Sequence, residues 1–206
     1  MKGYGAAAAL VALALAGCNS TAANKVLGDK ASVVDPAGAQ RLSAPGVYRV
    51  MPNGTYVAYC KEDFDQNNAL KAIATASESS TDTVTDQIAA ESVTLGFPGL
   101  PTLSLPYRKT KIEGYTVTRA SAPADGPFFD YVRSNVAARC RGLIDSGQYV
   151  VVEQEARARK SYKLWKSPVS GNVVVGSATL GGLGQEVSVA GPSNATFGLI
   201  GTAASK

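Results

Sequence analysis

The amino-acid sequence predicts an α+β domain, and three patterns support this prediction. Asn53-Gly54 separates two strand-like stretches, 46–51 and 55–60, and Asn-Gly in that place is typical of a β-hairpin. Apolar residues recur every four positions from Phe128 to Ile144, which is the spacing of one helix face. Short apolar runs interrupted by glycine fill residues 167–205 and favour strands.

The first residues have the pattern of a bacterial export signal. Lys2 supplies a positive charge, and residues 6–16 are only Ala, Leu and Val. This run is shorter than the roughly 20 apolar residues that a membrane-spanning helix needs. The small residues Ala16 and Gly17 are typical of a cleavage site. We therefore predict that residues 1–17 are a signal peptide and are removed.

Leu15-Ala16-Gly17-Cys18 resembles the lipobox of bacterial lipoproteins. The resemblance implies a diacylglycerol thioether on Cys18, cleavage before that residue and a further acyl chain on the new amino terminus. Two or more acyl chains give stable membrane anchoring. In the enterobacterial version of the family, Asp after the cysteine favours the inner membrane. Asn19 stands there in this chain, so the resemblance implies a lipid-anchored protein of the outer membrane.

The remaining order of elements follows from composition. Residues 18–42 are rich in small and polar residues without an apolar period, and we predict a flexible tether. An α+β domain is predicted over 43–166, followed by a glycine-rich β tail, 167–206, that either serves assembly or completes the sheet of the same domain. Within the domain, prolines punctuate the apolar stretch 96–106, which predicts an extended loop that covers the core or forms an exposed contact surface.

Between the hairpin and the glycine-rich strands, the sequence predicts two or three helices and a strand-helix-strand unit. Residues 65–77 and 81–95 carry apolar residues at helical spacing, although their many serines and threonines make these helices marginal. Strands at 111–119 and 148–154 flank the helix that begins at Phe128, which indicates a βαβ-like or split unit.

Two cysteines remain in the exported chain besides Cys18. Because the compartment is oxidising, we predict a disulfide between Cys60 and Cys140; the alternative is two buried free thiols. The chain has no histidine, which excludes His-based triads and the commonest metal ligand. We predict no catalytic residues, no metal site and no cofactor.

Residues 155–166, which are ambiguous between helix and strand, contain a basic run with Tyr162 and Trp165 interleaved. The basic residues are Arg157, Arg159, Lys160, Lys163 and Lys166. In this compartment they indicate contact with anionic material such as lipid headgroups, lipopolysaccharide or cell-wall polymer. The alternative is an ordinary solvated face. The net charge of +4 does not indicate a nucleic-acid partner.

These observations predict a non-enzymatic envelope lipoprotein with a structural or assembly role and a protein partner in the envelope. One alternative is a component of an outer-membrane pore or secretion channel, because residues 172–180 resemble part of a membrane strand of about 9–11 residues. The other alternative is an envelope enzyme that uses carboxylates.

Overall fold

The computed structural model describes residues 21–34, 36, 39–51, 55–88, 93–95, 103–105, 108–123, 125–166, 173–175, 178–180 and 186–204. The fold of these residues is α+β and mostly sheet, with eight strands in one antiparallel sheet. The helices are α1 (Ala22–Leu27), α2 (Lys61–Gln66), α3 (Asn68–Lys71), α4 (Phe128–Asn135) and α5 (Ala138–Asp145). The strands are β1 (Ser32–Val33), β2 (Gly46–Val50), β3 (Tyr56–Tyr59), β4 (Ala74–Ile88), β5 (Val93–Leu95), β6 (Leu103–Leu105), β7 (Arg108–Ser121), β8 (Tyr149–Lys166), β9 (Val173–Val175), β10 (Ala178–Leu180), β11 (Glu186–Ala190) and β12 (Ala195–Ala203).

Strand β8 is the centre of the sheet and, with 18 residues, its longest strand. Along one edge it pairs with β2 and then with β7, and along the other edge with β12 and then with β11. Strands β3, β4 and β1 extend the sheet from β2, β7 and β12. The second half of β8 therefore lies in a four-stranded sheet of order β4-β7-β8-β11.

The sheet has two different ends. At the helical end, β4 follows α3, β7 precedes α4 and β8 follows α5. At the opposite end, which we call the distal end, β4 finishes at Ile88, β7 begins at Arg108, β8 finishes at Lys166 and β11 begins at Glu186. Two short ladders lie beyond the distal end in chain order: β5 pairs with β6, and β9 pairs with β10. None of the helices in the described residues is long and apolar enough to cross a membrane.

The apolar repeat after residue 127 forms two helices rather than the single predicted one. Phe128, Val132, Val136, Cys140 and Ile144 are all buried. The chain is extended at Val136, between α4 and α5. The Arg141 guanidinium donates to the carbonyls of Arg133, Ser134 and Val136, and the Asp63 carboxylate accepts from the amide of Ala137. These side chains satisfy the backbone groups that the break leaves without helical partners.

The predicted helices at 65–77 and 81–95 are wrong for most of their length. The structure has the short α2 and α3 and then β4, which pairs with β7 over its whole length. Serine and threonine hydroxyls would weaken a helix, but they stabilise the pairing of β4 with β7. The hydroxyl of Ser77 lies 3.1 Å from that of Thr118, and the hydroxyl of Ser79 lies 3.0 Å from that of Thr116. Strands β7 and β8 are antiparallel neighbours, so the predicted strand-helix-strand unit is not a parallel crossover.

The predicted tether, 18–42, is folded in its described part. Ala22 and Ala23 in α1 are 1% exposed, Val34 is 2% exposed and Leu42 is 3% exposed. Strand β1 pairs with β12, which comes from the opposite end of the chain. The sequence prediction failed because residues 22–34 show no regular apolar period and are ordered by contacts with a distant strand.

The hairpin strands β2 and β3 pair antiparallel, while the Asn53-Gly54 turn lies outside the described residues. Most of the predicted loop at 96–106 also lies outside them, apart from β6. From the glycine-rich tail, β11 and β12 belong to the main sheet, and Ala195, Thr196 and Phe197 in β12 are buried.

Candidate membrane-facing site

Helix α1 is fixed to the last residues of β4. The Thr21 hydroxyl caps the helix by accepting from the amide of Asn24 at 3.1 Å. The carboxylate of Asp86, which is 5% exposed, accepts from the amide of Ala22. The Lys25 ammonium donates to the carbonyl of Thr85 at 2.6 Å. The first described residues of the chain are therefore bound two to three residues from the end of β4, at the distal end of the sheet.

Small side chains allow α1 to approach the sheet closely. A Cβ atom on Gly198 in β12 would lie 2.7 Å from the Cβ of Ala23, which is closer than real Cβ atoms come. Ala156 and Ala158 of β8, both 0% exposed, form a buried apolar cluster under α1 with Ala22, Ile112, Val117 and Phe197. The position of α1 therefore depends on alanine and glycine at the contact, a pattern that carries no helical periodicity in the sequence.

Cys18 lies outside the described residues, but its distance from α1 is limited by the chain. Cys18 precedes Thr21 by three positions, and an extended chain spans at most about 3.6 Å per residue, or about 11 Å in all. Since Thr21 begins the helix that is bound to Asp86, any lipid carried by Cys18 is held near the distal end of the sheet.

Basic residues concentrate at the same end. The stretches 108–111 and 160–166 contain no acidic residue, and residues 109–111 pair with 162–164. The basic residues of the two stretches are Arg108, Lys109, Lys111, Lys160, Lys163 and Lys166. Lys160 is paired with Glu113 on β7, and Lys166 with Glu186 on β11. Lys160 is exposed, and Lys163 and Tyr162 are half-buried. One strand-to-strand row carries Asp86, Thr110, Lys163 and Val189, which places Lys163 level with the residue that binds α1.

Lys111 links this surface to an aromatic ring. Its ammonium nitrogen lies 2.5 Å from a carboxylate oxygen of Glu113 and 5.7 Å from the centre of the Tyr162 ring. The hydrogen bond from Lys111 lowers the pKa of the Glu113 carboxyl. This acidic side chain is therefore ionised and offsets the charge of Lys111, so part of the positive charge at this end is compensated locally.

The structure separates Arg157 from the other predicted basic residues. Its guanidinium lies 2.8 Å from the Glu155 carboxylate and donates to the carbonyl of Leu42 at 2.5 Å and to the hydroxyl of Ser43 at 3.2 Å. Arg157 therefore holds residues 42–43 against β8, and its contact with anionic material stays a prediction. Arg159 is exposed, and Lys166 is the last residue of β8 at the distal end.

Glu155 is a buried acidic group, 2% exposed. Burial raises its pKa to about 7, although Arg157 and the amide of Ala44 favour the ionised form. Sequence reasoning missed this residue because the stretch that begins at Glu155 was ambiguous between helix and strand, so no buried face could be assigned to it. Its contacts indicate a role in fastening the segment before β2, rather than in binding a ligand.

The predicted cysteine pair lies at the helical end. Cys60 follows β3, Cys140 lies in α5, and their bonded sulfur atoms join Cα atoms that are 5.8 Å apart, within the usual range for a disulfide. Asp63 lies beside them, and the three side chains have potential metal-ligand atoms within 4.8 Å of one another. Sulfur atoms in a disulfide are not thiolates, so this cluster in its bonded form lacks the ligands that a soft metal ion requires.

The two stretches that follow the distal ends of β4 and β8 in the sequence are almost without charge. Residues 89–107, which contain β5 and β6, have one charged residue, Glu91, and residues 167–185, which contain β9 and β10, have none. We call these two stretches the hairpin arms. The sequence predicted strands for the second arm, whereas it predicted a helix and a loop for the first. Comparison with known protein families and with curated proteins finds no match for this chain.

Proposed function

We propose that this protein is a lipid-anchored outer-membrane lipoprotein with a non-enzymatic structural or assembly role, and that the distal end of its sheet faces the membrane. One observation carries the proposal: the Asp86 carboxylate binds the amide of Ala22 at the distal end. This contact brings the predicted acylation residue, Cys18, to the end of the sheet that bears the lysines. The helical end, with its disulfide, then points away from the membrane.

The charges at the distal end suit an anionic surface. A lysine or arginine close to such a surface contributes about 1 kcal/mol to membrane binding. Tyrosine and tryptophan favour the boundary between headgroups and hydrocarbon, and Tyr162 and Trp165 occur among these lysines. The acyl chains supply the anchoring, and the basic residues orient the sheet against the headgroups.

The anchor is tested with Cys18→Ser. We expect this variant to lose labelling by a fatty-acid analogue and to accumulate as an uncleaved or soluble protein, because the thioether cannot form. A matched Asn19→Ser variant should be labelled and processed like the natural chain. Unchanged membrane attachment of Cys18→Ser would contradict the proposal.

The orientation is tested on the non-acylated chain that begins at residue 18 and carries Cys18→Ser, so that lipid insertion does not mask electrostatic binding. Lys160→Gln with Lys163→Gln should weaken binding to vesicles rich in phosphatidylglycerol by about 30-fold, at about 1 kcal/mol for each lysine. The control is Lys61→Gln with Arg139→Gln, which removes two exposed charges at the helical end. Equal weakening by both pairs would refute the orientation.

A second candidate function, a component of an outer-membrane pore, is favoured by the two hairpin arms. Each is nearly uncharged, each contains a paired antiparallel ladder, and both follow the distal end that bears the anchor. A membrane strand needs about 9–11 residues. Reconstituted lipoprotein should release a small dye from vesicles, and Val174→Asp in β9 should abolish release, whereas Thr202→Asp at the helical end should not. Dye release that Val174→Asp leaves unchanged would exclude the arm that contains β9.

A further inference from the structure

We propose that copies of this chain assemble side by side in the membrane, with β4 of one copy paired antiparallel to β11 of the next. The inference rests on the proposed membrane orientation and names the partner as a second copy of the same chain. It follows from the free edges of the sheet, the directions of its strands and the position of the anchor.

The distal half of the sheet has two open edges. Strands β7 and β8 are hydrogen-bonded on both sides there, whereas among the described strands β4 pairs only with β7 and β11 only with β8. A transverse row of partners runs Thr85, Lys111, Tyr162 and Ala190. The two outer residues of this row stand at the two edges of one continuous four-stranded sheet, and such edges are templates for pairing with another chain.

Strand direction determines which edges can meet. Each neighbouring pair in the order β4-β7-β8-β11 is antiparallel, so β4 runs toward the distal end and β11 runs away from it. When a second copy stands beside the first with the same end toward the membrane, its β11 is antiparallel to the β4 of the first. The pair formed between the two copies is then antiparallel, like every other strand pair in this part of the sheet.

The anchor excludes the symmetric alternative. Two β4 strands paired antiparallel would require one copy to be inverted, which would carry its Cys18 to the other side, away from the shared membrane. Two upright copies that joined β4 to β4 would form a parallel pair, which breaks the antiparallel pattern. Only the head-to-tail contact, β4 to β11, satisfies both conditions. Such a heterologous contact repeats from copy to copy and generates a ring where the rotation closes.

The two edges carry little of the protection that natural edge strands use. In β4, the exposed charges Glu78 and Asp82 and the irregular register between Ser80 and Thr83 lie away from the distal end. Nearer that end, the Asp86 carboxylate is bound to the amide of Ala22, and β11 has no charge after Glu186. The Lys25 ammonium does occupy the carbonyl of Thr85, and a paired strand would displace this flexible side chain.

Cysteine cross-linking in membranes tests the head-to-tail contact on the full acylated protein. Thr83, Thr85 and Ser188 belong to the face of the Thr85 row, because residues two apart in a strand point to the same side. The variants Thr83→Cys with Ser188→Cys and Thr85→Cys with Ser188→Cys cover two registers. Treated with a short bismaleimide, at least one should give a ladder of dimers, trimers and larger species, and each single variant should remain monomeric.

Three results decide the outcome. A dimer from Thr83→Cys alone would show β4 against β4 and overturn the proposal. Absence of a ladder from both double variants, while they still float with the membranes, would overturn edge pairing and leave the lipoprotein function intact. Loss of flotation would refute the proposed function instead. The control pair Thr202→Cys with Ser188→Cys, which places one thiol on β12 at the helical end, should give no ladder; a ladder there would show unspecific contact and overturn the assignment.

Discussion

Raising the pH should remove part of the stability of this domain through one buried carboxyl group, Glu155. Burial raises its folded-state pKa from 4.5 to about 7. The folded protein therefore binds the proton more tightly than the unfolded chain does. The stabilising contribution is complete below about pH 4.5 and is lost as the pH rises through about 7. At about 1.4 kcal/mol for each pKa unit, this contribution amounts to about 3 kcal/mol.

The measurement is the free energy of unfolding from denaturant titrations between pH 4.5 and 8, on the Cys18→Ser chain that begins at residue 18. Because the sequence contains no histidine, no histidine titration overlaps this window. Glu155→Gln should remove most of the decrease with pH, since the amide does not ionise. Glu78→Gln is the control, because Glu78 contacts Arg119 at 3.0 Å from a side chain that is 74% exposed.

The two variants separate the explanations. If stability falls with pH equally in Glu155→Gln and in the natural chain, the carboxyl group is not the source and the reasoning is refuted. Glu155→Gln could instead be less stable than the natural chain at pH 8 while its free energy of unfolding does not change with pH. The lower stability would then come from the lost contact with Arg157, whose guanidinium lies 2.8 Å from the carboxylate. The pH dependence itself would still support the shifted pKa.

Three further predictions concern the fold. Non-reducing peptide mapping of the exported protein should recover Cys60 and Cys140 in one linked pair, and their reduction should cost about 2–5 kcal/mol of stability; recovery as free thiols would contradict this. Deleting residues after Ser170 should abolish cooperative melting, because β12 supplies buried side chains to the sheet; a soluble, cooperatively melting product would instead assign the tail to assembly. Asp86→Ala should lower stability by about 1–3 kcal/mol, because it leaves the amide of Ala22 buried without its acceptor; faster proteolysis near α1, relative to Ser77→Ala, is the second measurement.

Local patterns predicted some elements well because those elements are determined by neighbouring residues. The apolar repeat from Phe128 to Ile144 indicates which side chains meet the core, and all five of its members are buried. The strand-like stretches on both sides of Asn53-Gly54 predict the pair β2 and β3. The same local reasoning failed for β4, where serine and threonine are compatible with either state and the long partner strand β7 decides between them.

The candidate site depends on contacts that no local pattern contains. Ala22 and Asp86 are 64 residues apart in sequence, and their hydrogen bond exists only because α1 packs across the sheet. Arg157 belongs to the basic run by sequence, yet its contact with Leu42, 115 residues away, makes it a structural residue. The lysines of β7 and β8 come to the same end of the sheet only because these strands are neighbours.

By itself, the sequence determined the predicted export and acylation signals, the absence of histidine chemistry, the apolar face after Phe128 and the near absence of charge in the second hairpin arm. These properties reside in short stretches or in composition, so they do not depend on which strands meet. Only the tertiary structure decided that α1 and the lysines share one end of the sheet, and that β4 and β11 are the edges of its distal half among the described strands. The reason is physical: backbone hydrogen bonds between strands are the same for every sequence, so the order of strands is selected by side-chain packing over the whole sheet.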